Sequence, residues 1–333
     1  MKIGSVSLPS PFAIAPMAGM TDSAFRRLVK RHGGCGLVVT EMVSSEGLVR
    51  GIDRTLEYAE YTNEERPISI QIFGGDPEKM AAAAQIVEGM GADIVDVNMG
   101  CPVPKIAKHN AGCSLMREPA HAASVINAMA KAVKIPVTVK MRAGWNDRDR
   151  NAPVLAKMVE DAGAAAVAVH GRTAEQSYTG SADWDLVARV ADQLTIPVFG
   201  SGDCVEPDQI VERIQSGVEG VLVGRGVLRN PWILAQAQDL AAGRPAQTIT
   251  LEDRGRFLLD YIDLLLTERV DEARALTHDR WVVNKLRALG GYFTKGLDNG
   301  SHLRTAINTA ASLPQLREVI ESFFGVESSV ATP

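Results

Sequence analysis

The chain has 333 residues, which is enough for one large domain and a smaller one. Hydrophobic residues make up 46% of it, as is typical of globular proteins. Its 35 basic and 40 acidic residues give a net charge of −5, which excludes a protein that binds polyanions over its whole surface. A nucleic acid could therefore be bound only through a local basic patch.

The chain shows no targeting or disulfide signal. No apolar run reaches the ~18 residues of a membrane-spanning helix, and the N-terminus lacks the basic and apolar segments of a signal peptide. The four cysteines have neither CxxC pairing nor zinc-ligand spacing. We therefore expect reduced thiols in a cytoplasmic protein that has no membrane contact and no bound metal.

Short apolar runs alternate with helical segments as far as residue 240. Eight runs rich in Val and Ile predict strands at 12–15, 37–40, 68–72, 94–97, 137–141, 166–170, 198–201 and 221–224. Polar residues do not alternate with the apolar ones, which is typical of parallel strands buried on both faces.

Helices are predicted between these strands, at 22–32, 77–90, 120–133, 154–162, 184–193 and 207–216. Several end at a glycine, a common helix stop, whereas the segment 44–66 is less regular. Eight strand–helix units in about 240 residues favour an α/β fold of the (β/α)8 TIM-barrel type. An open doubly wound sheet is the alternative.

The strand ends carry polar side chains, which converge at one face of a barrel and predict an active site there. Cys101 follows the strand 94–97 on a loop that Gly100 and Pro102 make tight. A thiol in such a loop is exposed enough to donate a proton, although a lone Cys can also be an inert small apolar residue.

Glycines at the last two strand ends, Gly202 and Gly224, indicate a phosphate site. A single phosphate with a flat ring across the barrel mouth would suit a mononucleotide such as FMN. Lys140 could then balance the charge of a reduced flavin, and Gln71 could bind its pyrimidine edge. Alternatively, Lys140 forms an ion pair inside the barrel, and His170 has a structural hydrogen-bonding role.

Residues 241–333 show no strand pattern and predict a small all-helical domain, separate from a catalytic domain at 1–240. Helices are expected from 250 to 270 and at 272–289, 303–311 and 316–324. Basic residues cluster in its middle, with aromatic residues among them: Arg274, Arg280, Lys285, Arg287, Lys295 and Arg304. They indicate either a solvated helix face or a surface that follows phosphates.

Six motifs in this order resemble those of the tRNA-dihydrouridine synthases, and most closely the bacterial B-type branch. They are APMAGMTD at 15–22, QIFG at 71–74, NMGCP at 98–102, KMR at 140–142, HGRT at 170–173 and GRG at 224–226. The family often has Asn-Gly-Asp after the seventh strand, where this chain has Ser201-Gly202-Asp203. Serine keeps a short hydrogen-bonding group there.

The resemblance implies an FMN-dependent oxidoreductase that uses NADPH to reduce the C5–C6 bond of particular uridines in tRNA, with the D-loop as the expected location. Hydride would pass from flavin N5 to C6, and Cys101 would protonate C5. The implied cofactor contacts are Pro16, Met17, Ala18, Gln71, Lys140, His170, Ser201, Gly202, Asp203, Gly224 and Arg225. The implied substrate contacts are Asn98, Arg172, Arg274, Arg280, Lys285 and Arg287.

Two other functions stay open from the sequence. A flavin barrel could reduce a free pyrimidine, which would leave the basic helical segment unexplained. An inactive barrel could bind tRNA alone, which the intact Cys101, Lys140 and Gln71 argue against. We expect a monomer that binds tRNA and NADPH.

Overall fold

The computed structural model describes residues 1–107, 110–267 and 277–326. Parallel strands form a barrel, and each strand overlaps one of the eight apolar runs that predicted strands. They are β1 (Phe12–Ile14), β2 (Val38–Val39, continued by Val43–Ser44), β3 (Ile68–Phe73), β4 (Ile94–Met99), β5 (Val137–Arg142), β6 (Ala166–His170), β7 (Val198–Ser201) and β8 (Gly220–Val223).

The strands pair in chain order, and β8 returns to β1. A parallel bridge between Ala13 and Leu37 joins β1 to β2 and closes the ring. The (β/α)8 barrel is thereby confirmed, and the alternative of an open doubly wound sheet is wrong. The ring places the carboxyl ends of all the strands around one mouth.

Each strand points alternate side chains into the barrel and towards the helices. On β4, Val95 and Val97 join the large apolar core that includes the helices, whereas Ile94 joins a smaller internal cluster with Ile3 and Phe199. Ile3 lies on the N-terminal hairpin of Lys2–Ile3 with Val6–Ser7. Both cores bury strands on each side, which explains why the strand sequences lack polar alternation.

Helices connect the strands and cover the outside of the barrel. They are α1 (Ser23–Arg31), α2 (Ser45–Val49), α3 (Asp53–Ala59), α4 (Pro77–Gly89), α5 (Pro104–Ala107), α6 (Pro119–Ala132), α7 (Ala152–Asp161), α8 (Trp184–Gln193), α9 (Pro207–Ile214), α10 (Arg225–Arg229) and α11 (Ile233–Ala241). Asp22, Asp76 and Asp183 cap α1, α4 and α8 by accepting hydrogen bonds from backbone N–H groups.

The irregular segment 44–66 contains α2, α3 and a short 3₁₀ helix, Asn63–Glu65. A buried ion pair fixes it to the barrel. Arg26 of α1 donates from Nε to Oε1 of Glu65 over 2.6 Å, and these side chains are only 2% and 0% exposed. The partners are far apart in sequence, so periodicity alone could not have defined this segment.

Four further helices follow: α12 (Leu251–Thr267), α13 (His278–Phe293), α14 (Gly300–Thr309) and α15 (Leu313–Phe324). Thr250 caps the start of α12, since its Oγ1 accepts from the Asp253 N–H over 3.1 Å. The predicted end of one helix at 270 and start of the next at 272 lie outside the described residues.

An aromatic cluster joins these last helices to the barrel. The ring of Phe257 on α12 lies 6.0 Å from that of Phe25 on α1 and 5.5 Å from that of Trp232, which precedes α11. Phe293 of α13 stacks on Phe257 at 5.7 Å. The helical segment and the barrel therefore share one continuous apolar core. Within the described residues, no helix is long and apolar enough to cross a membrane.

Candidate active site

A cavity of about 420 Å³ opens at the carboxyl ends of the barrel strands. This volume lies in the range of cofactor and small-ligand sites. The cavity brings together Cys101, Asn98 and every residue predicted to bind the cofactor. Its lining includes Pro16, Met17, Ala18, Gln71, Asn98, Cys101, Lys140, His170, Ser201, Gly202, Asp203, Gly224 and Arg225.

Cys101 lies on the loop after β4 and is half-buried, whereas Cys35, Cys113 and Cys204 are buried. Backbone contacts hold the loop in place: the Cys101 N–H donates to Asn98 Oδ1 over 2.9 Å, and the Cys101 carbonyl accepts from the Cys113 N–H over 3.0 Å. Cys204 also borders the cavity, but burial raises the pKa of its thiol to about 12. Cys101 is thus the more accessible of the two cavity thiols.

A row of hydrogen bonds runs through the barrel towards the Cys101 loop. Thr138 Oγ1 donates to Asp96 Oδ1 over 2.6 Å, and Gln71 Nε2 donates to Asp96 Oδ2 over 2.7 Å. Asn98 Nδ2 donates to Gln71 Oε1 over 2.8 Å. Each of the four side chains is at least nine-tenths buried. The amides of Gln71 and Asn98 are therefore fixed before any ligand arrives.

Lys140 on β5 brings a positive charge to the cavity. The pKa of its ammonium is lowered to about 8, mainly by burial and also by the charge of Arg142, while the charge of Asp96 opposes the shift. Among the described residues, no carboxylate lies within the 4 Å of an ion pair, so the sequence alternative of a direct pair with Asp96 or Glu41 is wrong. A half-buried cation without a close carboxylate favours a negatively charged ligand.

His170 ends β6 beside this charge. The pKa of its imidazole is lowered to about 2, mainly by burial and also by the positive charges of Lys140, Arg142 and neighbouring arginines. The ring is therefore neutral at physiological pH and can donate one hydrogen bond and accept another. Gly202 is needed beside it, because its φ is +124° and an added Cβ would lie 3.0 Å from the ring.

Arg142 is a functional residue that the sequence analysis did not assign. It is 4% exposed, lines the cavity, and donates from Nε to the Gly100 carbonyl over 2.8 Å. Its Nη1 donates to the Ser177 carbonyl over 2.9 Å, so it joins the Cys101 loop to the loop after β6. Its place two residues after Lys140, on the same face of a strand, is the signal that could have identified it.

Arg172, predicted to bind substrate, is buried outside the cavity lining. Its guanidinium donates to the carbonyls of Thr179 and Gly180 over 3.0 and 2.6 Å and pairs with Asp203 at 2.7 Å. Asp203 faces the cavity and also lies 3.7 Å from Arg225. Arg172 thus shapes the cavity wall through Asp203 and the loop it holds.

Tyr178 lies on that loop at the cavity rim and was missed because no motif marks it. Its ring is 58% exposed, and the Arg225 guanidinium lies over it at 4.8 Å from the centroid. Arg142 lies on the ring as well, at 5.9 Å. The rim therefore offers an aromatic face close to two cations.

Lys285, predicted to contact the substrate, connects α13 with the barrel. Its Nζ lies 2.8 Å from Asp22 Oδ2 and 3.8 Å from Glu41, and it donates to the Gly19 carbonyl over 3.2 Å. Burial raises the pKa of Glu41, and the charge of Lys285 counteracts this. The contacts hold the loop that follows β1, which supplies Pro16, Met17 and Ala18 to the cavity.

The other predicted substrate residues differ in their surroundings. Arg280 on α13 is exposed, as are Lys295 and Arg304. Arg287 is half-buried and donates from Nη2 to the Ala310 carbonyl over 2.8 Å, which fixes α13 to the end of α14. Arg274 lies outside the described residues. Exposed cations of the helical segment are thus available to an external polyanion.

The cavity fits a flat, negatively charged cofactor. Its cationic side is supplied by Lys140 and Arg225, and Gly224 lines the wall beside Arg225. Among the described residues, no group of three His, Cys, Asp or Glu side chains could hold a metal. The positive charges of Lys140 and Arg225 suit an organic anion.

Comparison with known proteins agrees with this geometry. The family model described as "Dihydrouridine synthase (Dus)" matches residues 13–321. A probable tRNA-dihydrouridine synthase of Rickettsia conorii is 36% identical over 97% of this chain and 96% of its own length. The tRNA-dihydrouridine synthase B of Pseudomonas aeruginosa is 38% identical over 86% and 87%, and that of Xanthomonas axonopodis pv. citri is 41% identical over 73% and 74%.

Solved structures share the barrel at low sequence identity. Histamine dehydrogenase from Rhizobium sp. 4-9 aligns with a TM-score of 0.57 at 13% identity, over 79% of this chain and 50% of its own. A mutant of morphinone reductase aligns with a TM-score of 0.52 at 13% identity, over 72% and 90%. These show the fold alone. The family match along nearly the whole barrel and helical segment shows that the chain is an enzyme of the dihydrouridine synthase family.

Proposed function

We propose that the protein reduces particular uridines of tRNA to 5,6-dihydrouridine, with FMN as its bound cofactor and NADPH as electron donor. The observation that carries the proposal is the convergence of Cys101, Lys140, Gln71 and Asn98 on one cavity in a chain of this family. The names of the relatives support tRNA as the substrate.

The cavity residues would hold FMN through complementary charge and shape. Gly202, Gly224 and Arg225 stand at the ends of the last two strands, where barrels commonly bind phosphate. Lys140 would bring its positive charge to the ring system, and Gln71 would offer it an amide N–H. Bound there, FMN supplies the hydride that uridine C6 receives and is itself reduced by NADPH.

Cys101 would supply the proton. A thiol can act as a general acid, and this one would donate its proton to C5 of the uracil. Asn98 holds the backbone N–H of Cys101, so the thiol is presented from a fixed loop. Hydride at C6 and a proton at C5 together saturate the C5–C6 bond.

The helical segment would hold the tRNA while the target base enters the cavity. A uracil must leave its stack to reach the mouth, which costs a few kcal/mol. Phosphate contacts from exposed cations such as Arg280 offset this cost. We assign residues 241–333 to this role and propose the D-loop as the target region of the tRNA. We also propose that the enzyme is a monomer and that it acts in the cytoplasm, where its tRNA is found.

An anaerobic absorption experiment tests this function. We expect the purified protein to show flavin bands that bleach with NADPH and return when unmodified tRNA is added. The tRNA recovered after this reoxidation should contain dihydrouridine by mass spectrometry. tRNA that already carries the modification is the matched control and should leave the flavin reduced.

Two results would contradict the proposal. Reoxidation by free uracil or orotate but not by tRNA would indicate a free-pyrimidine reductase. A protein that no added FMN can reconstitute would leave a barrel that binds RNA without catalysis.

A further inference from the structure

Asp96 is a buried carboxylate to which the proposed reaction gives no role. It lies inside the barrel on β4, where it is 6% exposed. The sheet register pairs it with Gln71 on β3 and with Thr138 on β5, so the three side chains form a row across adjacent strands. Asp96 and Thr138 border a small internal space of about 30 Å³, whereas Gln71 reaches the cavity above it.

Hydrogen bonding gives this row a direction. Gln71 Nε2 donates to Asp96 Oδ2 over 2.7 Å, so the nitrogen end of the Gln71 amide faces the carboxyl group. Gln71 Oε1 must then face Asn98, whose Nδ2 lies 2.8 Å away. Asn98 Oδ1 in turn accepts from the N–H groups of Gly100 and Cys101 at 3.2 and 2.9 Å. Each contact of the row therefore joins a donor to an acceptor.

The row leaves donors for a ligand. An amide nitrogen carries two N–H groups, and Gln71 and Asn98 each use one of them within the row. Both residues line the cavity. A ring edge that carries carbonyl oxygens, such as the pyrimidine edge of a flavin or a uracil, would accept from these remaining N–H groups.

Asp96 could instead serve as the counter-charge of Lys140, and the geometry argues against this. Both carboxylate oxygens are occupied, by Thr138 at 2.6 Å and by Gln71 at 2.7 Å. The charges of Asp96 and Lys140 affect each other, but the two side chains form no ion pair within 4 Å. These short contacts indicate that Asp96 acts mainly as a hydrogen-bond acceptor and not as the counter-charge of Lys140.

We infer that Asp96 is a positioning residue that holds the Gln71 amide in the orientation needed to donate to a carbonyl-bearing ring edge, through its acceptor oxygen and not through its charge. The inference rests on the proposed function, because FMN is the ligand used to test it. Asp96 itself touches neither cofactor nor substrate in this scheme, since it lies outside the cavity lining.

Two substitutions separate the acceptor from the charge. Asp96→Ala removes both, and we expect the dissociation constant of FMN, measured by flavin fluorescence, to rise about tenfold, the value of one hydrogen bond. Asp96→Asn removes the charge, yet its Oδ1 still accepts from Gln71 while its NH₂ donates to Thr138 Oγ1. We expect Asp96→Asn to bind FMN within about threefold of the wild type. An equal loss in both variants would assign the role to charge and overturn the inference.

A double-mutant cycle tests whether Asp96 acts through Gln71. In a Gln71→Ala background, Asp96→Ala should change FMN binding no further. An unchanged tenfold effect in that background would show that Asp96 acts by another route, for example by general support of the fold. Asp96→Leu gives a second variant without an acceptor if Asp96→Ala is poorly folded, because a buried charged group can often be replaced by an apolar one.

Asp93→Asn is the matched control, since it makes the same substitution at the opposite end of β4. Asp93 pairs with Arg66 at 2.7 Å and accepts from the Ile68 N–H, away from the cavity. FMN binding should be unchanged in Asp93→Asn.

Wild-type protein that binds no FMN would contradict the proposed function itself, before any variant is compared. Wild-type protein that binds FMN while Asp96→Ala binds it equally well would overturn only the inference about Asp96.

Discussion

The thiol of Cys101 faces the cavity, and its loop is held by the N–H and carbonyl contacts described above. We expect Cys101→Ala to retain FMN and tRNA binding but to lose turnover by about 10²–10⁴, the usual contribution of a general acid. Single-turnover reoxidation of reduced enzyme by tRNA measures this. Cys35→Ala, at a buried thiol outside the cavity lining, should turn over normally. Near-normal turnover of Cys101→Ala would remove this thiol from the chemistry.

Lys140 should make flavin reduction depend on pH. Its pKa is lowered to about 8, so the side chain is cationic below that pH and neutral above it. The cation stabilises an anionic reduced flavin, and we expect Lys140→Met to lower the two-electron midpoint potential, by about 30 mV for each 1.4 kcal/mol of stabilisation removed. The difference between wild type and variant should shrink as pH rises from 7 to 9. Identical potentials at pH 7 would contradict the assignment.

The sequence could identify the residues that end strands, because a barrel places every strand end at one mouth. Cys101, Gln71 and Lys140 were found in this way, and the structure brings them together. Asp96 and Thr138 lie within strands, and their contact follows from the register between β4 and β5, which apolar runs do not encode. Tyr178 lies on a loop whose path depends on long-range contacts.

At the scale of elements, α13 has one side that attaches to the barrel and another that faces solvent. Its basic residues look alike in sequence, but Lys285 is only 14% exposed and pairs with Asp22, whereas Arg280 is exposed. Periodicity predicted the helices of this segment, yet it could not say which cations another element neutralises. Those partners lie more than 200 residues away in the chain.

Lys285→Met should destabilise the protein, because it leaves the carboxylates of Asp22 and Glu41 without their close cation. We expect the free energy of unfolding in urea to fall by roughly 1–3 kcal/mol, less than for a fully buried pair. Arg280→Met on the same helix should stay within about 0.5 kcal/mol, as is usual for surface substitutions. Equal stability of the two variants would mean that the ion pair does not fasten α13 to the barrel.

At the scale of the whole molecule, a net charge of −5 coexists with exposed cations on the helical segment. We expect the combined variant Arg280→Gln, Lys295→Gln and Arg304→Gln to weaken tRNA binding. The slope of log K against log salt should become shallower by about one for each phosphate that the protein no longer neutralises. Filter binding between about 50 and 200 mM salt measures both effects.

Lys131→Gln is the control for this variant, since it removes an exposed cation from the barrel helix α6. It should leave the salt slope unchanged. A loss of affinity in the control equal to that of the triple variant would indicate diffuse electrostatic attraction and no defined RNA surface on the helical segment.

The barrel itself was predictable because eight apolar runs and their spacing leave few other arrangements. The junction with the helices was not, because it depends on how Phe25, Trp232, Phe257 and Phe293 meet in space. Composition changes near residue 240, yet the apolar core continues across that point. A change in sequence pattern marked a change of architecture and gave no sign of this shared core.

The aromatic cluster also sets a length scale. Since the two parts share packed rings, the helical segment is held at a fixed distance and angle from the mouth of the barrel. An RNA held by the helical segment would then present to Cys101 only a nucleotide that lies at that distance from the phosphates it grips. Under the proposed function, the distance between the helical segment and the cavity, which the aromatic cluster fixes, would decide which uridine is reduced.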